Sequence, residues 1–100
     1  MDIAVSTNSV PIRLTDERWR HIVGTHDDVS AYYDEVLAAI ESPERVLRGS
    51  GGVLMAVRGF GRRRYFVVVY KETSRRDGFG ITAYVTSRIN RGPTIWPTRP

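Results

Sequence analysis

Six consecutive residues, Tyr65, Phe66, Val67, Val68, Val69 and Tyr70, are all β-branched or aromatic, with no polar residue between them. Such a run suits a strand buried on both faces of a sheet, and it is too short and too β-branched to be read as a helix. A second stretch, Phe79 to Thr86, alternates: Phe79, Ile81, Ala83 and Val85 fall to one side, and Gly80, Thr82, Tyr84 and Thr86 to the other. It reads as a strand with one packed and one wetter face. Asp77-Gly78 precedes it and can supply a tight reversal, so the two strands are expected to pair antiparallel.

The elements ahead of this pair are read from capping and periodicity. Thr15 can cap a helix, Asp16 and Glu17 favour its first turn, and Leu14 can close over Trp19 as a hydrophobic staple. Gly24 and Asp27-Asp28 suggest an end near His26 or earlier. Val29, Tyr33, Val36, Leu37 and Ile40 recur at three-four spacing, which predicts a second helix from about Asp28 to Glu41, stopped near Pro43. Val53 to Val57 reads as a further strand, with Gly59-Phe60-Gly61 as a turn. Met1 to Arg13 could be an edge strand or an arm, and the charged segment from Lys71 to Asp77 an extended hairpin end. Trp96 could anchor the tail on the core or stack on a partner.

The expected fold is α+β, with two N-terminal helices packed on a mainly antiparallel sheet of three to four strands. One hundred residues make one domain, divided into an arm or edge strand (1–13), a core (14–86) and a tail (87–100). With no cysteine there is no disulfide framework, thiolate metal site or thiol nucleophile, and a cytoplasmic setting is expected. No apolar run approaches the roughly 20 residues of a membrane span, so no membrane partner is expected.

Charge is divided unevenly along the chain. Residues 1–44 carry nine acids and three bases, net −6, whereas residues 45–100 carry two acids and twelve bases, net +10. Eleven of those twelve bases are arginine, whose planar fork suits phosphate, so the expected partner is RNA. Arg48, Arg58, Arg62, Arg63, Arg75, Arg76 and Arg88 are the candidate nucleic-acid contacts. A solvated basic surface is the plainer reading of the same residues.

Imidazole is the side chain suited to moving protons near neutrality, and the sequence has two, His21 and His26. On a regular helix His26 falls about 20° from Trp19, while His21 projects to the opposite side, so the rings would diverge unless Gly24 breaks the helix. RNA carries its own nucleophile in the 2′-hydroxyl. Cleaving it needs a proton acceptor, a cation at the phosphate and a donor for the leaving oxygen, but no metal. His21 or His26 can move protons, Arg64 and Lys71 can hold the phosphate, and Thr82 and Tyr84 can donate hydrogen bonds from one strand face. The scattered acids make no metal-binding set, and no cofactor is expected. Gly49-Ser50-Gly51-Gly52 lacks the Lys-Ser/Thr that follows the phosphate loop of a nucleotide hydrolase.

Leu14 to Ile22, then His26, a second helix ending in Glu41-Ser42-Pro43-Glu44-Arg45-Val46, the Tyr65 to Tyr70 strand and Ile81-Thr82-Ala83-Tyr84 together resemble small phage-associated members of the barnase, EndoU, colicin and RelE-like nuclease superfamily. The resemblance covers roughly residues 14 to 86. It implies N-terminal helices followed by an antiparallel sheet, and a metal-independent ribonuclease of toxin-like type with an acidic antitoxin or immunity protein as its partner. It also implies His21 and His26 as the familiar histidines, with Thr82 and Tyr84 facing the site. The usual Arg-His-Pro around the second histidine is Thr25-His26-Asp27 here, which replaces a cation with an acid that could orient His26. The alternatives are a non-catalytic RNA- or protein-binding module and a phage-related structural protein.

Overall fold

The computed structural model describes residues 1–89 and 92–97. Parts of the expected tail, residues 90, 91 and 98–100, lie outside the described residues. The chain forms a hairpin of β1 (Asp2–Val5) and β2 (Pro11–Leu14), then α1 (Asp16–Thr25), a short 3-10 turn (Asp27–Val29) and α2 (Tyr33–Glu41). There follow β3 (Arg45–Arg48), β4 (Leu54–Gly59), β5 (Tyr65–Glu72), β6 (Gly78–Thr86) and β7 (Thr94–Trp96).

All the strands join one seven-stranded sheet in the order β1-β2-β6-β5-β4-β3-β7. The expectation of three to four strands behind two N-terminal helices is therefore corrected: the fold is mixed α/β, and two strands precede the helices. Ile3 and Val5 project from one side of β1 while Ala4 is buried, so of the two readings of the first residues, edge strand or arm, the structure has the edge strand, with one covered side. The pairing of β5 with β6 is antiparallel, as is every other pairing except that of β2 with β6.

Local chemistry accounts for the helices. The Thr15 hydroxyl accepts the Arg18 amide at 3.1 Å, and Asp16 and Glu17 occupy the first turn. Helix α1 runs through Gly24 without a break, and its C-cap His26 leaves helical geometry at φ −131°, ψ 75°. The second helix starts later than expected. Tyr32 departs from helical dihedrals at φ −123°, ψ 36°, and its ring stands edge-on to Phe60 at 4.9 Å and Phe66 at 5.9 Å. An edge contact of 4.9 Å between Trp19 and Tyr33 ties the helices together. The Tyr33 hydroxyl donates to Asp2 at 2.7 Å, and burial, reinforced by that carboxylate, pushes the phenol up to about 12.

Both helices cover the same face of the sheet. Ile22, Val29, Val36 and Ile40 join Ile12, Leu14, Val46, Ala56, Phe66, Val68, Tyr70 and Ala83 in one core. Trp96 packs against this core, so β7 does anchor there. The alternate strand residues Leu47, Val57 and Val67 form a separate cluster with Met55, Tyr65, Val69, Tyr84 and Ile89, and no helix residue takes part. No helix among the described residues is long and apolar enough to cross a membrane.

Candidate functional site

One irregularity decides which residues of β6 face away from the helices. Lys71 pairs with Phe79 and Tyr70 with Gly80, but Val69 pairs with Thr82, leaving Ile81 as the extra residue of a bulge. Cross-strand partners share a face, and Tyr70 belongs to the helix-side core while Val69 belongs to the opposite cluster. Gly80 therefore faces the helices with Tyr70, whereas Thr82, Tyr84 and Thr86 face away from them. The simple alternation expected over Phe79 to Thr86 is corrected by this one residue.

Strand β2 accompanies β6 only at Gly78 and Phe79, since the chain turns into α1 just after Leu14. Beyond Gly80 that edge of β6 has no strand beside it among the described residues, and α1 with the following 3-10 turn packs against β6. There His26 reaches over the edge: its ring centroid lies 5.7 Å from that of Tyr84, at an interplanar angle of 39°. Among the described residues the imidazole makes no hydrogen bond, and the expectation that Asp27 orients it finds no such contact. Burial raises the Tyr84 phenol above its ordinary value. The group is thus a neutral hydrogen-bond donor throughout the physiological range, and not a base.

The remaining candidates separate. His21 is exposed on α1, where its carbonyl accepts from the Thr25 hydroxyl at 3.1 Å. It is not brought to Tyr84. Lys71 follows Val69 by two on β5 and shares the open face with Thr82 and Tyr84, forming no ion pair among the described residues. Arg58 pairs with Phe66, which sets it on the helix face, where it borders a small cavity with Glu35, Phe60 and Phe66. Arg64 is exposed in the β4–β5 turn, its carbonyl accepting from the Phe60 amide at 2.8 Å.

The other arginines gather at the two ends of the sheet. Arg62 and Arg63 sit with Arg64 in the β4–β5 turn, where Gly61 and Arg63 take positive φ of 71° and 57°. Arg88 belongs to the same end, since its amide donates to the hydroxyl of Thr86, the partner of Tyr65. Arg75 and Arg76 occupy the β5–β6 turn at the opposite end, as does Arg48 at the end of β3. Along β5 these ends stand about 23 Å apart at the rise of an extended strand.

A feature the sequence did not disclose adjoins Tyr84 on its other side. A depression of about 670 Å³ is lined by Arg48, Ser50, Val53, Met55, Val69 and Tyr84, with Leu47, Gly49, Gly92 and Pro93 completing it. Its only sequence signal was the glycine-rich β3–β4 connection, which does not have the pattern of a nucleotide-hydrolase loop. No cluster of three or more potential metal ligands occurs among the described residues. No family model matches the chain, and neither a curated protein nor a solved structure does.

Proposed function

We propose that the protein is a metal-independent endoribonuclease working at the junction of His26 with the open face of β6. The observation that supports this most strongly is the 5.7 Å approach of the His26 ring to Tyr84, on the same strand face as Thr82. Neutral His26 takes the proton from the RNA 2′-hydroxyl, whose oxygen attacks the adjacent phosphorus. The bond from phosphorus to the 5′-oxygen breaks, a 2′,3′-cyclic phosphate remains, and the 5′-oxygen takes its proton from solvent. Tyr84 and Thr82 donate hydrogen bonds to phosphate oxygens, and Lys71 balances their charge. His21 has no part in this scheme, which departs from the two-histidine pattern of the resemblance. The arginines at the two sheet ends hold the strand on either side, and a toxin-like enzyme of this charge calls for an acidic inhibitory protein.

The test uses end-labelled single-stranded RNA in EDTA. His26→Ala is expected to slow cleavage by about 10²- to 10⁴-fold, with His21→Ala close to the parent protein. Full activity of His26→Ala, or no cleavage by the parent, overturns the proposal. The second outcome, combined with binding that falls steeply with salt, supports a non-catalytic RNA-binding module. That reading is favoured by the row of partly exposed aromatics, Tyr65, Phe79 and Tyr84, along the open face.

A further inference from the structure

The sheet ends in two edge strands, β1 and β7, and they are guarded differently. Strand β7 is three residues long, and Pro93 and Pro97 flank it, so no backbone N–H is offered just before or just after it. Strand β1 has none of these devices. Asp2–Val5 contains no proline, lysine or arginine, and no bulge interrupts its pairing with β2. Among the described residues the exposed large hydrophobic side chains are Met1, Ile3 and Val5, all in β1 or just before it.

The hairpin's hydrogen bonds fix which way the backbone of β1 points. The Ser6 amide donates to the Val10 carbonyl at 2.9 Å, which makes Ser6 and Val10 a hydrogen-bonded pair. Such pairs alternate with open ones along an antiparallel ladder, and the register Ala4↔Ile12 and Asp2↔Leu14 continues the series. Asp2 and Ala4 therefore turn their amides and carbonyls towards β2. Ile3 and Val5, opposite Arg13 and Pro11, turn theirs to the free edge, where no turn or loop hydrogen bond takes them up among the described residues. Their side chains are 51% and 50% exposed and stand on the open face, since Ala4 lies in the helix-side core and Asp2 accepts from Tyr33 of α2.

We propose that β1 is the joint of a symmetric dimer, paired antiparallel with β1 of a second copy, with Ala4 opposite Ala4 on the two-fold axis. A second copy is the occupant because this segment is its own complement. Ile3 faces Val5 of the other copy, twice, so every outward amide and carbonyl of these residues is paired, and the four side chains close into one aliphatic patch. No like charges are opposed. Asp2 faces Ser6, and the two Asp2 residues stand about 14 Å apart along the strands, beyond the Debye length of about 8–10 Å. Centring on Ile3 instead would set Val5 against Met1, whose nitrogen is the ammonium held by Asp16 at 3.3 Å. Opposed residues point to the same face, so both open faces lie on one side of the joined sheet and both helix layers on the other. Neither RNA nor His26 enters this pairing, which stands apart from the nuclease reading.

The test is sedimentation equilibrium of the intact chain. The joint is small, so the mass is expected to rise from one chain towards two with a dissociation constant of about 100 μM. Val5→Lys puts a charge into the aliphatic patch and should weaken the dimer about tenfold or more, with the thermal midpoint of the dilute chain close to the parent's because the position is half-exposed. Ile3→Pro, which removes an outward N–H and none that β2 uses, should weaken it as much. The register is read by cross-linking, since the chain has no cysteine of its own. Ile3→Cys mixed with Val5→Cys should form a disulfide-linked pair under mild oxidation, because opposed Cα atoms lie about 5.5 Å apart, and either variant alone should form several-fold less. Ile3→Cys linking to itself as fast as to Val5→Cys overturns the pairing. So does a chain that stays single at about 1 mM, a result that leaves the edge to a strand of another protein.

Discussion

The two faces of the sheet are built from alternate residues of the same strands, yet they do different work. On the helix side, Phe66, Val68 and Tyr70 meet Val36, Ile40 and Ile22 in a continuous core. On the other side only Leu47, Val57 and Val67 are fully buried, covered by Met55, Tyr65, Val69, Tyr84 and Ile89, which are themselves half-exposed. Apolar surface that is neither covered by a layer nor replaced by polar residues has a cost in a lone domain, and it is the expected composition of a face that binds something. The first face holds the continuous core, and the second leaves its side chains partly accessible.

The largest contrast should come from neighbouring residues on β5 that point opposite ways. Phe66→Ala opens a cavity against Tyr32 and Phe60 and is expected to cost about 3–5 kcal/mol in denaturant unfolding, while Tyr65→Ala costs about 1 kcal/mol. Similar losses for the two would mean that the open face is as tightly integrated as the covered one. A smaller effect of opposite sign sharpens the picture of the core. The Tyr70 hydroxyl is buried and finds no hydrogen-bond partner among the described residues. Tyr70→Phe should therefore leave stability unchanged or raise it by about 1 kcal/mol, and a clear loss would show that the hydroxyl is satisfied after all.

The smallest effect belongs to the surface pair at the start of β6. Hydrogen bonds of 2.8 and 3.1 Å from Arg13 hold the Asp77 carboxyl below its usual range. A depressed native value means that the contribution is fully present above the unfolded value of about 3.9 and is lost as pH falls through the native one. Arg13→Gln should lower stability slightly and by a constant amount above about pH 5, with the difference from the parent vanishing as pH falls through the native Asp77 value. A difference that persists undiminished in acid would assign Arg13 some other role.

Much of the covered face was legible in the sequence. The Tyr65 to Tyr70 run, the Thr15 cap and the stripe through Val36 and Ile40 each have a local physical cause, and each lies where that cause puts it. The short strands were not legible. Arg45-Val46-Leu47-Arg48 offers two apolar residues between charges, and Thr94-Ile95-Trp96 only two beside a threonine, so pairing across the sheet decides both. The bulge at Ile81 puts Gly80 and Thr82 on opposite faces with no signal beyond the glycine before it. Of the candidate residues named from the sequence, His26, Thr82, Tyr84 and Lys71 lie on or beside the open face of β6. The sequence left open whether Gly24 breaks α1; the helix runs unbroken, and the rings diverge as a regular helix requires, with His21 outside and His26 at the strand edge. The depression beside Tyr84 depends on residues far apart in the chain, and no local pattern announces such a meeting.

The parallel pairing of β2 with β6 bears on the order of assembly. Ile12 takes its place beside Gly78, sixty-six positions further along the chain, and α1 starts from the very strand so placed. A polypeptide leaving the ribosome thus carries its opening hairpin without a berth until the eighth decade of the sequence has emerged, and long-range closures of this kind are slow. Until then the imidazole of His26 has no edge to lean over, and the junction on which the proposed activity rests is not yet assembled.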